Sequence, residues 1–96
     1  MKLEIISGPP GSGKTRRLRA IELELVERGH NALWLQGGFS ASRLQRMLLM
    51  AAGAGVTTVL IDDCGQDDLR HLRHALREFA DREDVALTVF AVEMSI

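Results

Sequence analysis

Two hydrophobic periods alternate along this chain. Short apolar runs of strand length are separated by longer stretches in which apolar residues recur every three or four positions. The first run, Leu3-Glu4-Ile5-Ile6, predicts a buried strand over residues 2–7. Leu18, Ile21 and Leu25, with Val26 beside them, predict a helix over residues 14–28, closed by Gly29 at its C′ position. Asn31-Ala32-Leu33-Trp34-Leu35 predicts a second strand, ended by Gly37-Gly38. Ser40 is a helix cap by residue type, and Phe39 before it can pack on Leu44 as a hydrophobic staple. That helix is predicted to run to about Ala52 with Leu44, Met47, Leu48 and Ala51 inward, until Gly53-Ala54-Gly55 stops it. Val56 to Ile61 is rich in β-branched residues and predicts a third strand, which Asp62-Asp63 ends. A third helix from Gln66 or Asp67 to about Ala80 carries Leu69, Leu72, Leu76 and Phe79 on one stripe. A polar connection, Asp81 to Asp84, leads to a fourth strand over Val85 to Val92.

The order β-α-β-α-β-α-β predicts an α/β fold with a small parallel sheet of about four strands. Helices cover it through right-handed crossovers, in one domain over residues 1–96. Hydrophobic residues make up 46% of the chain, enough for a core, but aromatics only 4%, so packing falls to aliphatic side chains. The net charge of -1 gives no global pull towards nucleic acid or an anionic membrane. Cys64 stands alone, which excludes an internal disulfide framework and fits a reducing compartment. With no leader-like start and no bilayer-length apolar run, a cytoplasmic protein without membrane attachment is expected.

The chemistry concentrates between the first strand and the first helix. Gly8-Pro9-Pro10-Gly11-Ser12-Gly13-Lys14-Thr15 fits the pattern Gly-x-x-x-x-Gly-Lys-Ser/Thr in strand–loop–helix context. Glycines allow backbone N–H groups to turn towards an anion, and the helix start adds further donors and a partial positive charge. Pro9 and Pro10 occupy variable positions and stiffen the loop. Lys14 is the expected cation for the outer phosphates, and the Thr15 hydroxyl the expected Mg²⁺ ligand. A second constellation is Val59-Leu60-Ile61-Asp62-Asp63: an apolar strand inside the sheet that delivers carboxylates at its C-terminal edge, where the phosphate loop also lies. Asp62 is the expected Mg²⁺ residue, through a water, and Asp63 follows where a catalytic acid often stands.

Together the two stretches resemble the P-loop NTPase superfamily, and within it the ASCE division of AAA+ and RecA-like ATPases. Ile61-Asp62-Asp63-Cys64-Gly65 is similar to the Walker B stretch of helicase loaders and replication initiators. The resemblance implies a three-layer α/β/α P-loop NTPase fold with the fourth strand between the first and third. The kinase–GTPase division would instead put the third strand beside the first. It implies a site for ATP (or another NTP) and Mg²⁺ built on Gly8 to Thr15, with Asp62 on the metal and Asp63 orienting the attacking water. ASCE proteins usually carry Glu where this chain has Asp63, one methylene shorter, which bears on hydrolysis rather than binding. No lid or sensor-two helix is expected after the fourth strand, and Thr88, Glu93 and Ser95 are the candidates for a polar sensor. No Asn-Lys-x-Asp motif is present to read guanine, and nothing selects adenine. The implied activity is slow ATP hydrolysis by an accessory or assembly factor, completed by an arginine from a second copy or a protein partner. A nucleotide-sensing module that hydrolyses little is the alternative, and a small-molecule phosphotransferase comes third.

Other residues carry less. Arg16, Arg17 and Arg19 near the first helix start, where the dipole disfavours cations, suit a polyphosphate or else a solvated face paired with Glu22, Glu24 and Glu27. Arg70, Arg73, His74 and Arg77 line one side of the third helix. They read as a solvated face balanced by Asp67, Asp68 and Glu78, or as an arginine finger or nucleic-acid stripe; no aromatics interleave to favour nucleic acid. His30, His71 and His74 lack metal-site spacing. Cys64 reads as a small apolar filler and Trp34 as core.

Overall fold

A computed structural model describes residues 1–94. The elements are β1 (Lys2–Ile6), α1 (Lys14–Glu27), β2 (Ala32–Gln36), α2 (Ala41–Gly53), β3 (Thr58–Cys64), α3 (Gln66–Phe79) and β4 (Thr88–Glu93). The four strands form one parallel sheet in the order β1-β4-β3-β2. β4 therefore lies between β1 and β3, as the ASCE resemblance implies. Parallel strands need crossovers, and each crossover here is a helix.

Alternation along the strands sorts the core into two faces. Leu18 of α1 is fully buried against Ile6, Leu60 and Val92, with Ile21, Trp34 and Phe90 partly buried around them. On the other face, α2 and α3 pack Leu44, Leu48, Leu69, Leu72 and Phe79 onto Val59, Ile61, Val89 and Ala91. The result is three layers, with the α1 side thinner. β3, in the interior of the sheet, is buried on both faces, as a continuous apolar run predicts.

The helix ends follow local rules. Ser40 Oγ accepts the Arg43 N–H at 3.2 Å, and Phe39 and Leu44 share the buried cluster, as the cap-and-staple pattern predicts. At the end of α1, Gly29 N–H reaches Val26 O and His30 N–H reaches Leu25 O, the paired bonds of a Schellman closure. Gly55 and Val56 close α2 in the same way on Ala52 and Ala51.

Several boundaries differ from expectation for physical reasons. Val56 belongs to the closure of α2, so β3 starts two residues later, at Thr58. β3 then continues through Asp62 and Asp63 to Cys64. Its pairing with β4 slips between Ile61 and Cys64, where Asp63 takes φ 53°. β4 starts at Thr88; Val85 and Leu87 are buried but lie in the approach to the ladder. In α3 the buried stripe passes through Ala75, with Leu76 only half-buried. Val26, beside the periodic positions of α1, is 61% exposed. Asp68 is not on the solvated face of α3: only 6% of it is exposed. Among the described residues no helix is long and apolar enough to cross a membrane.

Candidate functional site

The C-terminal ends of the strands gather the residues that the sequence singles out. β1 leads into the Gly8–Thr15 loop, β3 ends in Asp62-Asp63-Cys64, and β4 between them ends in Glu93. In open α/β sheets this edge is where ligands bind. Thr88 sits at the opposite end of β4, which removes it as a sensor candidate, and Ser95 lies outside the described residues.

The loop turns sharply before α1. Ser12 N–H bonds Pro9 O at 3.2 Å, and Gly13 takes φ 82° and ψ 27°, a left-handed conformation that costs glycine little and other residues about 1 kcal/mol or more. Lys14 opens the helix. Its Nζ donates to Gly8 O at one end of the loop and to Glu93 O at the end of β4, both at 2.8 Å. The ammonium is thus held across the mouth of the loop. Pro9, Pro10, Gly11, Ser12 and Gly13 are exposed.

Thr15 and Asp62 meet behind the loop. Thr15 Oγ1 lies 3.2 Å from Asp62 Oδ1 and donates to it. The same oxygen accepts the Asp63 N–H at 2.9 Å, and the Asp62 side chain is buried. A hydroxyl and a carboxylate oxygen at the same point are hard-oxygen donors suited to Mg²⁺. That ion uses one or two protein ligands plus waters and phosphate oxygens rather than a full protein cage. Among the described residues no group of three or more His, Cys, Asp or Glu converges as a metal cage, and such a site needs none.

The three helix starts differ in a telling way. α2 is capped by Ser40. α3 starts behind Gly65, which has no side chain to cap with, and Asp68 takes over. Its Oδ2 accepts the Gly65 N–H at 2.9 Å, and its carboxylate also accepts the Gly38 N–H at 3.0 Å and the Phe39 N–H at 3.3 Å. Asp68 thereby ties the β2–α2 loop to the start of α3. Gly37 makes the close approach feasible: a Cβ there would stand 2.1 Å from Asp63 O and 2.7 Å from Asp68 Oδ2. Among the described residues α1 alone starts without a side-chain cap and without an acid in its first turn.

A cleft of about 310 Å³ opens beside the loop, bounded by Ser7, Gly8, Pro10, Gln66 and Glu93. A second of about 290 Å³ lies at the end of β2 between Gln36, Phe39, Arg43 and Met47. A third, of about 550 Å³, lies at the opposite end of the strands around Met1, Arg82 and Thr88. It is far from the loop and the carboxylates, and position outranks size here.

The remaining candidates resolve locally. Arg19 stacks over the Trp34 ring at 4.9 Å, so it packs on the sheet side of α1, and Trp34 is half-buried beneath it. Arg70 pairs with Asp67 at 3.0 Å and His74 with Glu78 at 3.4 Å on the exposed face of α3. Exposed pairs of this kind contribute little to stability. Burial, with Asp68, Asp62 and Asp63 nearby, pushes the Cys64 thiol up to about 12, so it stays protonated and unreactive.

Sequence reasoning missed Asp68 as an anchor and missed Ser7 and Gln66 at the site. It named Glu93 only as a sensor candidate. No family model matches the chain, and no curated protein matches it.

Proposed function

We propose that this chain is an ASCE-type P-loop protein in the three-layer α/β/α P-loop NTPase fold. It binds ATP (or another NTP) with Mg²⁺, hydrolyses it slowly alone, and acts in the cytoplasm as an accessory or assembly factor. The observation that carries the reading is the start of α1. Among the described residues it is the one helix start with neither a side-chain cap nor an acid in its first turn, it stands behind a glycine loop, and it begins with Lys14 and Thr15. A polyphosphate supplies what Ser40 and Asp68 supply to the other two helices.

In this reading the loop amides and Lys14 hold the phosphates, with Lys14 exchanging its carbonyl partners for phosphate oxygens. Thr15 and Asp62 hold Mg²⁺, which offsets phosphate charge when bound. An arginine from a second copy or a protein partner completes the site, and a nucleic-acid partner stays open but finds no support in the net charge of -1. The sensing alternative is favoured by one observation: Asp63, the residue that the resemblance gives to the water, is short and left-handed at φ 53°.

Equilibrium nucleotide binding and phosphate release by wild type, Lys14→Ala and Asp63→Asn, across protein concentration, test the proposal. Lys14→Ala is expected to lose more than about tenfold in ATP·Mg affinity, the loss of one charge-assisted contact. Release that climbs faster than linearly with concentration supports an assembled ATPase. Tight binding without release supports the sensor, and absence of binding by wild type refutes both.

A further inference from the structure

Glu93 is the best-positioned carboxylate facing the cleft beside the loop. Its two oxygens are held separately: Ser7 Oγ donates to Oε2 at 2.8 Å, and Gln66 Nε2 donates to Oε1 at 3.3 Å. Its backbone oxygen accepts from Lys14 Nζ at 2.8 Å. The main chain beyond is pinned as well, since Met94 N–H bonds Cys64 O at 2.8 Å. Three segments therefore fix one side chain: the end of β1, the first residue of α3 and the end of β4. Ser7 and Gln66 each donate to a different oxygen, which leaves each carboxylate oxygen a further lone pair with which to accept from a water. The cleft that Glu93 bounds has room for a terminal phosphoryl group and a water beside Gly8 and Pro10.

Asp63 lacks these supports. It is exposed, its backbone is left-handed, and its N–H is turned back onto Asp62. The side chain is also the shorter of the two.

We infer that Glu93, not Asp63, is the catalytic carboxylate that orients and deprotonates the attacking water, with Ser7 and Gln66 as its positioning residues. This rests on the nucleotide-binding reading above. In the step, a water oxygen forms a bond to the terminal phosphorus of a bound nucleoside triphosphate, and the water proton passes to a Glu93 carboxylate oxygen. The bond from that phosphorus to the bridging oxygen breaks, and its electron pair leaves on the nucleoside diphosphate. The products are the diphosphate and inorganic phosphate.

The test compares Glu93→Gln with Asp63→Asn in the full chain, reading ATP·Mg binding, phosphate release, and retention of ADP·Mg in aluminium fluoride. Glu93→Gln is expected to bind ATP·Mg within about threefold of wild type and to lose about 100-fold in release. Aluminium fluoride is expected to tighten ADP·Mg binding at least about tenfold in wild type and Asp63→Asn but not in Glu93→Gln. Ser7→Ala is expected to lower kcat about tenfold without changing ATP binding, and Ser7→Thr to restore it. Release that survives Glu93→Gln and disappears in Asp63→Asn overturns the assignment while leaving the binding site intact. So does a wild type that binds ATP·Mg but releases no phosphate at any concentration. A wild type that binds no nucleotide overturns the assignment together with the reading beneath it.

Discussion

α1 and α3 start at the same edge of the same sheet, and they treat their N-termini in opposite ways. α3 supplies its own anion: Asp68 turns back onto Gly65 and reaches across to Gly38 and Phe39. α1 has Gly13 at the cap position, a cation at its first residue and no acid in its first turn. Each helix has a partial positive charge at that end. An internal carboxylate satisfies it in α3 and ties the β2–α2 loop to that helix start. In α1 no side-chain cap and no first-turn acid answers the same charge, and the proposed reading gives that role to a phosphate ligand on the glycine loop. The contrast is between a helix start tied by an internal carboxylate and one that the proposal assigns to an exchangeable ligand.

Breaking the comparison at α3 has the largest expected effect. Asp68→Ala strands the buried N–H of Phe39 and the part-buried N–H groups of Gly38 and Gly65 and is expected to cost about 3 kcal/mol in urea unfolding. Loss below about 1 kcal/mol would show that water replaces the carboxylate and that the two helix starts are equivalent.

A smaller effect sharpens the same contrast. Cys64 lies one residue before the capped start, and its thiol is pushed up to about 12 from an ordinary value of 9.0 by burial and the surrounding carboxylates. The folded state thus keeps a proton that the unfolded chain releases above about pH 9. This contribution to stability is complete below pH 9 and is lost as pH rises towards 12. Unfolding free energy measured across that window is expected to fall, with a shallower slope in Cys64→Ala. Equal slopes would place the thiol in contact with water. The folded chain is likewise expected to resist alkylation at pH 8, and Asp68→Ala to accelerate it.

What the sequence made legible was local. The change from strand period to helical period located every element, because each helix buries one stripe and the central strands bury both faces. Gly8 to Thr15 was readable because its residues are contiguous. Ser40 and Phe39 were readable because cap and staple act within a few positions. What failed was long-range. Asp68 caps across 30 residues to Gly38, and its nearer partner is a glycine that leaves no side-chain signature. Glu93 meets Ser7 across 86 residues, and that meeting depends on β4 inserting beside β1. The end of β3 was misplaced because two aspartates look like a terminus, while Asp62 is buried through its bonds with Thr15 and Asp63.

The most direct test is the urea unfolding midpoint of wild type and Lys14→Ala, each with and without saturating ATP·Mg. A ligand that binds only the folded chain adds about 2.7 kcal/mol at one hundred times its Kd. The wild-type midpoint is predicted to rise accordingly, and the Lys14→Ala midpoint, at the same ATP·Mg concentration, to rise by no more than about half as much. A wild-type midpoint unmoved by ATP·Mg would contradict the claim that the open start of α1 is a nucleotide site.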